Sequence, residues 1–316
     1  MQSAALQHDP YLSMLPPGLR LANAARVGRT AFVNVAGVNA VAGNQTMVSD
    51  AASAVVLVWG GSGQLNAILF DGITADPTSL ATDASENLYV ANEGYGNIVV
   101  YPKPYTSIKL TLDDANEKTQ GVAISQAGLV GVTNYLTSAY TPGSVYLYAK
   151  SATTACAIVS DPRWITYYYD AFDASGDLFI DGQDSFGNTL VGEVVGGCKA
   201  KSITTLTVNN TISTPGGVAV VRGNILIGDP SKQAIYAYAK PSRGTLGSPL
   251  ATTTLAGATN PITFAMMADG RNLWTADLDS EFAMAGKYAY PGGAFQKSLN
   301  DNLLPVGVAV IPAAIP

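Results

Sequence analysis

Histidine is all but missing from this sequence of 316 residues: it occurs once, as His8. That single count removes Ser-His-Asp triads, histidine metal clusters and histidine general acid–base schemes from the main body of the chain. Cysteine occurs twice, as Cys156 and Cys198, with no Cys-x-x-Cys and no Cys/His spacing, which excludes an ordinary zinc site. Charged residues make up 13 % of the chain, about half the usual share. The net charge is −6 and no Lys/Arg-rich run occurs, so the electrostatic footprint of a nucleic-acid binder is missing. No apolar run reaches the roughly 18 residues that a membrane-spanning helix needs. Neither a Gly-x-Ser-x-Gly elbow between strand and helix nor a Gly-x-x-x-x-Gly-Lys phosphate loop is found.

What remains is apolar and rich in turns. Hydrophobic residues are 47 % of the chain, with 32 glycines and 17 prolines. The chain also repeats. Six pieces align: Pro77-Thr-Ser-Leu-Ala81, Thr119-Gln-Gly-Val-Ala123, Tyr167-Tyr-Tyr-Asp-Ala171, Pro215-Gly-Gly-Val-Ala219, Pro261-Ile-Thr-Phe-Ala265 and Pro305-Val-Gly-Val-Ala309. The closing alanine returns at intervals of 42, 48, 48, 46 and 44 residues. Ten to twelve residues further on, each short apolar run ends in an acid or its amide: Asp50, Asn92, Asn134, Asp181, Asp229 and Asp277. A third apolar run follows, such as Ile98-Val-Val-Tyr101 or Ile235-Tyr-Ala-Tyr238, and then a weaker fourth, such as Ile203–Val208. Alternation in Ala234–Lys240 marks a strand, and tight hairpins are read at Asp173–Asp177 and Ala268–Asn272.

Four short strands per unit, at a period near 45, signal propeller blades. The expected fold is all-β: a six-bladed β-propeller of four-stranded antiparallel blades over residues 36–316, preceded by an N-terminal extension over 1–35. The last alanine motif has no second strand after it. The ring is therefore expected to close by the C-terminal strand, which becomes the inner strand of the first blade and leaves no long free edge. The competing closure uses Val38–Val41.

The stretch Asp83-Ala-Ser-Glu-Asn-Leu-Tyr-Val-Ala-Asn-Glu-Gly-Tyr-Gly-Asn-Ile-Val-Val-Tyr101 resembles the repeat of NHL- and YVTN-type propellers, and the likeness extends over about residues 46–312. This resemblance implies architecture rather than activity, because the fold hosts enzymes, lectins and scaffolds alike. Related six-bladed hydrolases of the gluconolactonase type hold a divalent cation at the ring's centre with Glu, Asn and Asp. No Glu occupies an obvious inner-strand position here, so no catalytic residue is carried over. Blade four departs most, with Tyr167-Tyr-Tyr-Asp170 in place of the Pro-x-Gly start.

Two readings of function follow. The first is an exported, non-enzymatic propeller that binds a protein, glycan or small-molecule ligand, with no cofactor, no metal, no nucleic acid and no membrane span. The second is a hydrolase or lactonase with a Ca-like ion in the channel. Low charge with much Ser, Thr, Asn and Gly suits a secreted or periplasmic protein. Met1 is followed by neither a basic nor an apolar leader segment, so an exported form reads as the mature part with a start Met. Cys156 and Cys198 are either two buried thiols or one disulfide of an oxidising compartment.

In a propeller, the loops from second to third strand and from outer strand to the next inner strand share one face, here the top. The top loops sum to about −13, against about +3 on the opposite face, with only Lys118, Arg163 and Lys232 as bases. The loop Asp161–Asp170 adds aromatic area on the acidic side. The candidate ligand-binding residues are therefore Trp164, Tyr167, Tyr168 and Asp170, with Tyr95 and Tyr135 near by. Two further aromatics, Tyr140 and Phe186, lie in neighbouring loops without being counted among the candidates. The six Asp/Asn residues are expected to accept backbone N–H groups and fix the loops they open.

Overall fold

The computed structural model describes residues 43–51, 54–69, 76–278, 284–299 and 304–314. The extension expected over 1–35 and the competing strand Val38–Val41 lie outside them. The described chain forms six sheets, antiparallel but for one added strand, and no α-helix. Each sheet is one blade. The inner strands are Pro305–Ile311, Pro77–Thr82, Thr119–Ile124, Thr166–Phe172, Val218–Val221 and Pro261–Met266, for blades one to six in ring order. Five of the recurring Pro/small/apolar/Ala pieces and the Tyr167–Ala171 variant thus all fall on the channel-side strand of their blade.

Closure is by the C-terminal strand. Pro305–Ile311 pairs antiparallel with Gln45–Asp50, from Gln45 opposite Ile311 to Asp50 opposite Pro305. All seven residues of this last strand are buried, because neighbouring blades cover both its faces. Blade one thus joins the two ends of the described chain in one sheet.

A bulge near the start of the inner strands shapes the ring. Register shifts fall between Pro77 and Leu80, Thr119 and Gly121, Tyr167 and Asp170, and Pro261 and Thr263, and opposite Ser49/Asp50 in blade one. A bulged residue is left out of its own ladder. Its free carbonyl then takes a hydrogen bond from the preceding blade. Ser49 Oγ donates to Thr78 O at 2.5 Å, Thr133 Oγ1 to Tyr168 O at 2.7 Å, Gly217 N to Ile262 O at 2.9 Å and Thr263 Oγ1 to Val306 O at 3.3 Å. Between blades two and three the acceptor is Thr119 O, one residue earlier, reached by Thr78 Oγ1 at 3.1 Å. Between blades four and five the direction reverses, and Gly216 N donates to Asp181 Oδ2 at 2.9 Å. Each of the six junctions therefore carries a hydrogen bond beside the channel.

Beside these bonds five of the six junctions are apolar. The residue before the recurring alanine packs on the preceding blade, against the residue paired with that blade's own alanine. Leu80 shares a core cluster with Met47, Val122 with Tyr89, Val218 with Phe179, Phe264 with Leu226 and Val308 with Trp274.

Two features differ from the regular scheme. Blade four has five strands: Thr245–Gly247, from the long third-to-outer connection of blade five, runs parallel to Thr204–Val208. An unpaired outer edge within reach of a long loop is the physical reason. The second is covalent. Cys156 and Cys198 form a disulfide with Cα atoms 5.1 Å apart, linking the outer part of blade three to a 3-10 turn at Gly197–Lys199 after the third strand of blade four.

Close approach of inner strands demands glycine at one point in particular. A Cβ on Gly307 would lie 2.0 Å from Thr78 O and 2.6 Å from Ser49 Oγ, on the ring hydrogen bond itself. Gly307→Ala should lower stability by about 2 kcal/mol or more, through displaced backbone and a lost blade contact. Gly292→Ala, where a Cβ meets nothing within 4 Å, is the control expected to leave the melting temperature within a degree or two. Thermal unfolding followed by circular dichroism compares the two.

Candidate functional site

The recurring acids and amides do accept backbone N–H groups, but mostly from a different loop than the one expected. Asp50 Oδ1 takes Leu304 N at 2.9 Å, Asp229 Oδ2 takes Ser213 N at 2.7 Å, and Asp277 takes Thr259 N and Asn260 N at 2.9 and 2.6 Å. Each thus braces the loop that leads into its blade's inner strand. Asn92, bonded through Nδ2 to Asn97 Oδ1 at 2.9 Å, does brace the loop it opens. In blade three the roles exchange. Asn134 is a donor, and the acceptor is Asp114 of the leading loop, which receives Asn134 Nδ2, Thr119 Oγ1 and Tyr148 OH at 3.2, 2.9 and 2.9 Å.

This use of carboxylates corrects the charge expected of the top face. Asp50, Asp114, Asp170, Asp181, Asp229 and Asp277 are buried. Asp71, Asp279, Glu281 and Asp301 lie outside the described residues. The acids left on the described surface of the top face are Asp76, Glu93, Asp113, Glu117, Asp161 and Asp184. Asp161 is held below the ordinary carboxylate range by its side-chain bonds to Arg163. The face stays acidic, with a smaller surplus than loop counting gives.

The aromatic candidates separate into two groups. Trp164 and Tyr167 are fully buried, so the expectation that they stand in an exposed ligand loop is corrected. Their rings stack at 5.2 Å and lie in one apolar cluster with Val145, Leu147 and Val159 of blade three and Ile180 and Val194 of blade four. Trp164 Nε1 donates to Thr205 Oγ1 at 2.9 Å, and Tyr167 OH meets the Asp161 backbone. Both are cement between blades three and four. Tyr168 and Tyr135 are also buried, with ring centroids 5.3 Å apart, and the Tyr168 hydroxyl donates to Gln183 Oε1 at 3.2 Å. Asp170 is buried against blade three. Tyr95 alone among these six is exposed, at 47 %.

Tyr95 has two companions. Tyr140 is 45 % exposed and Phe186 is 88 % exposed. All three stand in the second-to-third-strand loops of consecutive blades, two, three and four, and so on one face. Asp184 sets Phe186 outward: its Oδ1 accepts Phe186 N and Asn188 N, and its Oδ2 accepts Asn188 Nδ2. Lys118 ties the arc together, reaching Glu93 at 3.5 Å in blade two's loop and lying 5.9 Å from the Tyr140 ring centroid in blade three's. The signal for this arc was present in the sequence as a large aromatic at the same turn of three successive repeats. It was overshadowed by the denser Tyr triplet.

The exposed groups of the arc are aromatic rings and carboxylates, which offer contact area and hydrogen-bond acceptors. Among the described residues no group of three or more His, Cys, Asp or Glu side chains converges to hold a metal ion.

Comparison with known proteins agrees with this architecture. No protein-family model matches the chain, and no curated protein matches it. Solved structures do. A chain of the crystal structure of the nidogen/laminin complex superposes with a TM-score of 0.68 at 12 % identity, covering 85 % of this chain and 98 % of that one. A functionally unknown protein from Desulfotomaculum acetoxidans DSM 771 gives 0.58 at 12 % identity, over 87 % and 100 %. Streptogramin B lyase gives 0.55 at 12 % identity, over 84 % and 83 %. This is a six-bladed β-propeller. The likeness fits the NHL/YVTN-type resemblance of its repeats and, at such identity, concerns the fold alone.

Two outcomes follow from these placements. Trp164→Ala should cost about 3–5 kcal/mol of stability, as an emptied aromatic site between two blades, seen as a lower denaturant midpoint. Burial pushes the Asp114 carboxyl up to about 7, against hydrogen bonds from Thr119, Asn134 and Tyr148 that pull it down. The folded protein then holds a proton there that the unfolded chain, with an ordinary carboxylate, releases near pH 4. Stability conferred by this group is present at low pH and is lost as pH rises from about 4 to about 7, with a slope of up to about 1 kcal/mol per unit. Asp114→Asn should flatten that part of the pH profile of urea midpoints, and an unchanged slope would remove Asp114 as its source.

Proposed function

We propose that this propeller is an exported, non-enzymatic binding module that takes a protein partner on its top face, at the arc formed by Tyr95, Tyr140 and Phe186. The observation that carries the reading is the alignment of three exposed aromatics on equivalent loops of adjacent blades, each beside an acid. Aromatic side chains supply large contact area at low entropic cost, and they are enriched at interfaces. Glu93, Glu117 and Asp184 beside them favour a partner whose contact surface mixes Lys or Arg with apolar groups. The propeller of similar fold in the nidogen/laminin complex comes from a structure of two associated proteins. The Cys156–Cys198 disulfide supports an oxidising compartment and hence export. Trp164, Tyr167 and Asp170 contribute by holding blades three and four in place, not by contact.

A peptide library displayed on phage and panned against the immobilised protein tests this. Recovered binders should be enriched in Lys or Arg next to aliphatic or aromatic residues. The variant Tyr95→Ser/Tyr140→Asn/Phe186→Ser should bind them at least about tenfold more weakly, with an unchanged melting temperature. Asn is chosen at Tyr140 because its φ is 59°, a left-handed conformation that Asn tolerates. Arg243→Ala, on the opposite face, should bind as the parent does. Equal affinity of the triple variant and the parent would sink the proposal.

A further inference from the structure

The junction between blades three and four departs from the other five at its inner layer. Where those junctions pair two hydrophobic residues, this one pairs Asp170 with Gly131. Leu80, Val122, Val218, Phe264 and Val308 hold the position of Asp170 in the other blades. Asp170 is 7 % exposed, and neither carboxyl oxygen has a hydrogen-bond partner. The carboxyl lies in a cradle that side chains would fill. A Cβ on Gly121 would come within 2.8 Å of Oδ1, and one on Gly131 within 2.9 Å of Oδ2.

The groups around Asp170 leave its charge uncompensated. The facing strands of blade three, Thr119–Ile124 and Val130–Leu136, contain no charged residue. Their titratable side chain is Tyr135, which packs on the Tyr168 ring. The third strand of blade three, Pro142–Tyr148, brings Tyr146 and Tyr148. The inner strand of blade five, Val218–Val221, brings nothing that titrates. From its own blade Asp170 has Asp181, an acid, together with Tyr167, Tyr168 and Tyr169. Burial, and then Asp181, push its carboxyl well above the ordinary range, in the direction that the geometry dictates.

The same junction carries the chain's one disulfide and the buried Trp164–Tyr167 stack. The polar inner layer is thus offset by covalent and aromatic reinforcement further out.

We propose that the junction between blades three and four is the seam of the ring, closed while Asp170 holds a proton and Cys156–Cys198 is oxidised, and opened when Asp170 ionises and a dithiol reduces the bridge. In the reduction, the dithiol gives up two electrons and two protons and becomes a cyclic disulfide. The S–S bond of the protein breaks, and Cys156 and Cys198 each leave as a thiol. Ionisation places a bare carboxylate between two blades with no donor to receive it. Separation of the strands lets water solvate that charge, so rising pH favours the open seam.

Hydrogen exchange read by mass spectrometry, corrected for the intrinsic pH dependence of exchange, tests the seam directly. The full chain is compared at about pH 5 and about pH 8, with and without dithiothreitol. With dithiothreitol, segments 119–136 and 166–172 should exchange about tenfold faster at the higher pH, while Pro305–Ile311 and Pro77–Thr82 stay protected. Without dithiothreitol the difference should shrink. With Asp114→Asn as the common background, which removes the other raised carboxyl bonded to these strands, adding Asp170→Asn, a neutral residue of the same shape, should abolish the pH effect in the reduced protein. A variant that keeps the pH effect would overturn the proposal. Should the variant fail to fold, the parent protein decides alone: opening at all six junctions together, or none at this one when reduced at high pH, would equally overturn it.

Discussion

The hydrogen bond that each blade makes to the next at the channel wall is the constraint on which the ring rests. A propeller needs its inner strands close enough to seal a channel, yet each strand must also finish its own ladder. The bulges resolve the conflict by withdrawing one residue from the ladder and turning its carbonyl toward the preceding blade. Thr78, Tyr168, Ile262 and Val306 supply that carbonyl. The partners must be short, hence Ser49, Thr133 and Thr263, or a backbone N–H, as at Gly217. The small residues in the repeat follow from this spacing, and so does the intolerance of a side chain at Gly307.

Much of the architecture was legible because it is written six times. A period near 45 with an alanine, an acid or amide and two apolar runs per unit locates blades without reference to any single strong signal. The C-terminal closure was legible because the sixth alanine motif lacks a following strand. The fifth strand of blade four was not, since Thr245–Gly247 is three residues long and pairs outside its own repeat. Local pattern carries no information about such a pairing.

The site was legible only in part, and for a definite reason. Aromatic residues in a loop between blades can face solvent or the neighbouring blade, and sequence spacing does not distinguish the two. Trp164 and Tyr167 face the neighbour because blade three presents Val145, Leu147 and Val159 to them. Phe186 faces solvent because Asp184 closes a tight turn beneath it. The acids divide the same way. Those that end a second strand are consumed by backbone N–H groups, and those at loop tips keep their charge at the surface.

The closure of blade one has a consequence for the newborn chain. Its second, third and outer strands, Gln45–Leu69, precede every other described strand in synthesis, while their inner partner Pro305–Ile311 follows them all. For most of synthesis, blade one is a three-stranded sheet whose Gln45–Asp50 edge has bare N–H and C=O groups. An unpaired edge of this kind is a template for other strands. Blades two to six can assemble in order behind it, but the circle joins only after some 240 further residues have been added. The protein's most aggregation-prone interval is therefore set by chain order and lasts until Pro305–Ile311 is available, and within it a chaperone covering that one edge would have the greatest effect.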